Sequence, residues 1–137
     1  MKNIALLSCL LASQAAHASP NECLQNFSAT QNEALATTYK TQGSFRFVKT
    51  DDAFKRVHTF LANNGMSILS IDKENGVISA LNEGNDRSGA FNAVIKKGSY
   101  GGSIVNLSFN LPAGVLTSNQ ATQSYFCNLM AAVNKKD

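Results

Sequence analysis

The chain has 137 residues, 12 Lys and Arg against 9 Asp and Glu, and a formal net charge of +3. That length holds one domain with a modest core. The weak positive balance, with Lys96-Lys97 and Lys135-Lys136 as its only adjacent lysine pairs, excludes a strongly basic nucleic-acid binder.

The amino terminus reads as an export signal. Lys2 precedes the apolar run "IALLSCLLA", and "AHA" stands before Ser19, which predicts cleavage after Ala18. The run is too short to span a bilayer, and no other stretch reads as a transmembrane segment. "LLSC" ending at Cys9 offers a lipoprotein-like alternative. The expected setting is the periplasm or the exterior. Residues 1–18 are then the signal, 19–43 a polar arm, and 44–137 a single α+β domain. Processing removes Cys9 and leaves Cys23 and Cys127, one near each end. An oxidising compartment predicts a disulfide between them. Such a bridge restricts the unfolded chain by roughly 2–4 kcal/mol.

The arm "NECLQNFSATQNEALATTY" is too sparse in apolar positions to define an element beyond a short helix. "SFRFVKT" has strand character, with Phe45 and Phe47 expected on one face as core. Thr50 is placed to cap a helix, and Asp51 and Asp52 suit its positive first turn. Phe54, Val57 and Leu61 form the apolar stripe, broadened by Ala53 and Phe60. "NNG" at 63–65 ends it.

"MSILSID" and "VISAL" read as strands, and Asn75-Gly76 predicts a tight hairpin between them. Alternation in "MSILSID" sets Leu69 and Ile71 against Met66 and Ile68 without choosing a core face. "NEGNDRSG", residues 82–89, is the most loop-like interior stretch. "AFNAVIKK" places Phe91, Ala93 and Ile95 together, and "SIVNLSF" does so for Val105, Leu107 and Phe109. "GSYGG" joins these two strands. A last helix begins near Ser118 with the stripe Phe126, Leu129, Met130 and Val133, and Tyr125 beside it. The fold class is α+β, in the order β-α-β-β-β-β-α. Its mainly antiparallel sheet carries both helices on one face, and Arg46, Asn92, Asn106 and Ser108 keep the other polar.

No motif assembles an active site. His58, the one histidine after the signal, flanks the first helix stripe, with no serine nucleophile elbow nearby. A disulfide leaves neither Cys23 nor Cys127 as a thiolate. Asp51-Asp52 belong to a helix start and Asp72 with Glu74 to a turn. Glu83 and Asp86 fall in the loop-like stretch, so a carboxylate hydrolase is only the second alternative. Ligand spacing fits neither zinc nor a calcium loop, and no cofactor is implied. "GSYGG" lacks the lysine and serine or threonine of a phosphate loop. Arg46 and Lys49 interleave with Phe45 and Phe47 as in some single-strand binders. The core requirement for the two phenylalanines argues against that use.

The segment "FRFVKTDDAFKRVHTFLANNGMSILSIDKENGVISAL" resembles the repeated domain of the bacterial outer-membrane assembly lipoprotein BamC. The local matches are Asp72, Gly76 and the Val77–Leu81 strand. The resemblance implies an envelope-facing module, with a helix packed on an antiparallel sheet and protein contacts in place of catalysis. The leading expectation is therefore a non-catalytic protein-recognition module, an inhibitor or envelope accessory protein. Its candidate contacts are Tyr100, Arg46, Asn92, Asn106, Arg87 and the 82–89 stretch. The alternative is a carrier of a small apolar ligand, with a pocket lined by Phe91, Leu107, Phe109 and Phe126.

Overall fold

The computed structural model describes residues 20–84, 87–115 and 117–135, with side chains described for 22–82, 89–115 and 117–135. The expected signal, residues 1–18, and Cys9 lie outside the described residues. The chain runs α1 (Pro20–Asn26), β1 (Ser28–Gln31), β2 (Thr37–Phe45), α2 (Thr50–Asn63), β3 (Met66–Asp72) and β4 (Val77–Gly84). It continues through β5 (Arg87–Lys97), a single 3-10 turn (Ser99–Gly101), β6 (Ser103–Leu111) and α3 (Asn119–Asn134). The six strands form one antiparallel sheet in the order β1-β2-β6-β5-β4-β3. From β2 to α3 the order is β-α-β-β-β-β-α, as the apolar periodicity predicts.

One face of the sheet builds the core. Tyr39, Phe45, Ile78, Phe91, Ala93, Ile95, Val105, Leu107 and Phe109 alternate inward along their strands and are buried. Ala53, Val57 and Leu61 of α2 meet them, with Phe126, Leu129, Met130 and Val133 of α3. Burying each large side chain contributes about 1.5–3 kcal/mol. Arg56 reaches across from α2 and donates from Nη1 to the Val133 carbonyl at 2.8 Å. Ser118 caps α3, accepting from the Ala121 amide at 3.1 Å.

The structure departs from expectation at several points. The first long strand begins at Thr37 and stops at Phe45. Its inward residues include Thr41 and Gly43, which carry no apolar signal, so the polar run hides it. Val48 donates its amide to the Phe45 carbonyl at 3.3 Å and turns inward, while Phe47 swings out and is 79% exposed. Phe47 is therefore not a core residue. Lys49, not Thr50, holds the N-cap position of α2, and no side chain caps it. The stretch 82–89 is mostly hairpin: Asn82 pairs with Gly89 and Gly84 with Arg87. The turn after β3 spans four residues, with Gly76 at φ 69. Asp72 fixes it by accepting from the Asn75 amide at 3.0 Å and side chain at 2.8 Å. Those bonds, the side-chain one foremost, hold its carboxyl below the ordinary range. A side chain at Gly76 would run into the Ile95 carbonyl, so this position needs glycine twice over. Ile68 packs against the core, whereas Leu69 and Ile71 are 61% and 49% exposed beside a bulge in β3.

Candidate binding surfaces

Cys23 and Cys127 form a disulfide across 104 residues, with their Cα atoms 5.6 Å apart. It ties α1 to α3 over β2. The Thr41 hydroxyl supports it by donating to the Cys23 carbonyl at 2.8 Å. Beside the bridge lies a groove of about 430 Å³. Cys23, Gly43, Phe45, Cys127, Met130, Ala131 and Ala132 form its apolar part, and Glu22, Asn134 and Lys135 are its polar members. Glu22 is fixed there, accepting from the Ser44 amide at 3.1 Å. α3 presents two alanines to the groove, and Gly43, the smallest residue of β2, lets the Met130 side chain approach the sheet. A Cβ at Gly43 would sit 3.0 Å from Met130 Sδ.

The pocket expected between Phe91, Leu107, Phe109 and Phe126 is not where the open space lies. These four residues are buried, and the Phe91 ring packs on those of Phe109 and Phe126. Phe91 stands 5.8 Å from Phe126 and 6.5 Å from Phe109, centroid to centroid. Cys23, Gly43 and Ala131 carry no distinctive motif. Only the disulfide pairing could have drawn attention to this end of α3.

A second surface forms where β2 ends and β5 joins β6. Arg46, expected on the open sheet face, lies instead in the turn after β2. Its guanidinium carbon is 4.2 Å from the Tyr100 ring centroid and 5.6 Å from that of Phe47. Tyr100 is 83% exposed and has φ 57, a left-handed conformation uncommon outside glycine. The Gly98 amide donates to Gly102 at 2.9 Å, and the Gly102 amide donates to Ser99 at 3.0 Å, closing the loop. A Cβ on Gly102 would collide with the Phe45 carbonyl and come within 2.7 Å of Arg46 Cα. Glycine there lets the two segments touch. The sequence singled out Arg46 and Tyr100 separately; the fold joins them and adds Phe47.

The open sheet face carries the other two described candidates. Register aligns Lys40, Ser108, Asn92, Ser79 and Ser70 in one row across five strands. Ser79 donates to Asn92 Oδ1 at 2.8 Å. Asn106 occupies the next row, opposite Gln42 and Val94. Together with Lys40, Gln42, Asn92 and Ser108 it lines a polar depression of about 500 Å³. Arg87 opens β5 opposite Gly84, and its side chain lies outside the described residues.

Among the described residues no three His, Cys, Asp or Glu side chains are placed to hold a metal ion. His58 is partly buried on α2, and the disulfide consumes both cysteines of the described chain. Asp51 and Asp52 occupy the first turn of α2. The side chains of Glu83 and Asp86 lie outside the described residues. No described helix is long and apolar enough to cross a membrane.

No protein family model matches the chain, and no curated protein matches it. Its fold is similar to that of a conserved protein of unknown function from Enterococcus faecalis. That likeness has a TM-score of 0.56 at 7% identity and covers 84% of this chain and 78% of the other. Two further likenesses score lower. Ara h 8.0201 gives a TM-score of 0.43 at 10% identity, over 72% of this chain and 95% of that one. Ginseng major latex-like protein 151 from Panax ginseng gives 0.34 at 12%, over 83% and 73%. The first of these shows a common fold, and none assigns a function.

Proposed function

We propose that the protein is a small exported binding protein whose groove between α1 and α3 holds a largely apolar ligand with one polar end. The groove itself carries this reading: about 430 Å³, with walls from Phe45, Met130, Ala131, Ala132 and the disulfide. Its polar members are Glu22, Asn134 and Lys135. Binding pockets for small ligands typically combine a mostly apolar lining with a few placed polar groups. The amino-terminal signal pattern supports a periplasmic or secreted setting. Dodecanoate displacing a fluorescent naphthalene sulfonate from the protein tests it. Displacement from the native protein, and loss of probe binding in Ala131→Trp, are expected. Equal probe binding by native and Ala131→Trp proteins contradicts the reading.

A second reading, non-catalytic protein recognition, is favoured by a different observation. Arg46, Phe47 and Tyr100 stand together, exposed, at one corner. Arginine and aromatic residues dominate the energetic centres of protein interfaces. An inhibitor or an envelope accessory protein belongs to this class.

A further inference from the structure

We infer that the Arg46–Tyr100 corner binds an acidic segment of a partner protein, with the edge of the Arg46 guanidinium received by a carboxylate. This deepens the second functional reading and does not depend on the groove. The first support is the state of Arg46. Tyr100 and Phe47 hold its cation at 4.2 Å and 5.6 Å by attraction to their ring faces. Among the described residues, no carboxylate or carbonyl accepts from it. An arginine fixed in place with its fork unused suits a bidentate carboxylate, which takes two parallel N–H bonds.

The second support is cost. Tyr100 is held at φ 57, a left-handed conformation that is unfavourable for a residue bearing a Cβ. Its neighbour Gly101 shows what such a turn would otherwise use. Tyr100 and Phe47 also leave 83% and 79% of their surfaces in water. Strain and exposed apolar area at one spot mark a surface kept for contact.

The third support is charge. Lys97 aligns with Ser103, and Ser103 with Phe45, so Lys97 ends β5 at this same end of the sheet. Lys49 is exposed in the turn that carries Arg46. Asp51 and Glu74 share a depression with Lys96 and Lys97, so the positive charge here rests chiefly on Arg46. Without Lys2, which the expected cleavage removes, the formal net charge of +3 falls to +2, still positive. Nucleic acid fits less well. A phosphate backbone engages rows of cations, and the longest run here is a lysine pair. Both rings already face a guanidinium, whereas single-strand binders leave rings free to stack on bases.

Amide chemical shifts of the uniformly labelled protein provide the test. Three probes are titrated: a soluble peptide alternating glutamate with leucine, its glutamine–leucine counterpart, and oligothymidine. The glutamate peptide should move the amides of 45–47 and 99–102 saturably, and the glutamine peptide should bind there about tenfold more weakly. Arg46→Lys keeps the charge but loses the fork, and should weaken the glutamate peptide by about tenfold. Equal affinity of both peptides at the corner, or of native and Arg46→Lys proteins for the glutamate peptide, overturns the carboxylate partner and leaves protein recognition intact. Failure of either peptide to move the corner overturns both. Oligothymidine moving the same amides at lower concentration than the glutamate peptide replaces the acidic partner with nucleic acid.

Discussion

Two stretches of the same helix meet the same sheet with opposite results. Around Phe126, itself buried, α3 packs solidly: Phe91 and Phe27 lie 5.8 Å and 6.0 Å from its ring. One turn further on, beside Met130, Ala131 and Ala132, the helix leaves a groove against Gly43 and Phe45. Backbone architecture is shared by the two stretches, so side-chain volume makes the difference. Aromatic residues fill the space in one, while two alanines leave it open in the other. A fold of this kind gains or loses a ligand site by substitutions at a few positions.

The contrast can be broken most severely in the filled half. Phe126→Ala should cost about 3–5 kcal/mol, because lost contacts and a cavity add together. Urea denaturation measures it, and a loss below about 1 kcal/mol would mean that this half is not tightly packed. Next comes the bridge that walls the groove. Replacing Cys23 and Cys127 together by serine should cost about 2–4 kcal/mol in the same assay. It should also weaken any groove ligand, since α1 is then tied to α3 by packing alone.

A smaller effect sits at Tyr125, between Phe60 and Phe91 at 5.4 Å and 6.2 Å. Its hydroxyl is buried with no hydrogen-bond partner among the described residues. Burial pushes its pKa up from 10.0 to about 12. The folded state therefore keeps the proton that the unfolded chain releases first. The stabilisation linked to this group is whole below pH 10 and is lost as pH rises from 10 toward 12. Tyr125→Phe should remove that alkaline loss. Near neutral pH it should leave stability unchanged or raise it by up to about 1 kcal/mol. Denaturation curves across the alkaline range, for both proteins, check the sign. Smallest of all, Ala131→Trp should change stability by no more than about 0.5 kcal/mol, because it fills open space at an exposed helix position. A much larger loss would show that the groove is closed in solution.

Much of the framework was legible because burial leaves a periodic mark. Phe91, Ala93 and Ile95 alternate, as do Val105, Leu107 and Phe109, and all six are buried. The stripes of α2 and α3 and the Cys23–Cys127 pairing were equally readable. Where small or polar residues line the core, the mark fades. Thr41 and Gly43 concealed most of β2, and Asn82–Gly84 with Arg87–Gly89 resembled a loop although they pair as strands. At "SFRF" alternation misled outright, since a turn closing on Val48 ejects Phe47. The groove was illegible for a related reason. It arises from absent volume at Ala131 and Ala132, and a sequence pattern records what is present. The corner depended on a long-range approach: Gly102 admits the Arg46 backbone only once β2 and β6 are paired.

The groove's capacity to hold an apolar ligand is tested most directly through its methionine. Met130 lines it, while Met66 begins β3 outside it and serves as an internal control. With methionine methyl groups labelled, dodecanoate should shift the Met130 signal saturably, leave Met66 in place, and have no effect on Met130 in Ala131→Trp. A Met130 signal that stays fixed at saturating dodecanoate, or one that moves equally in the plugged variant, would contradict the account.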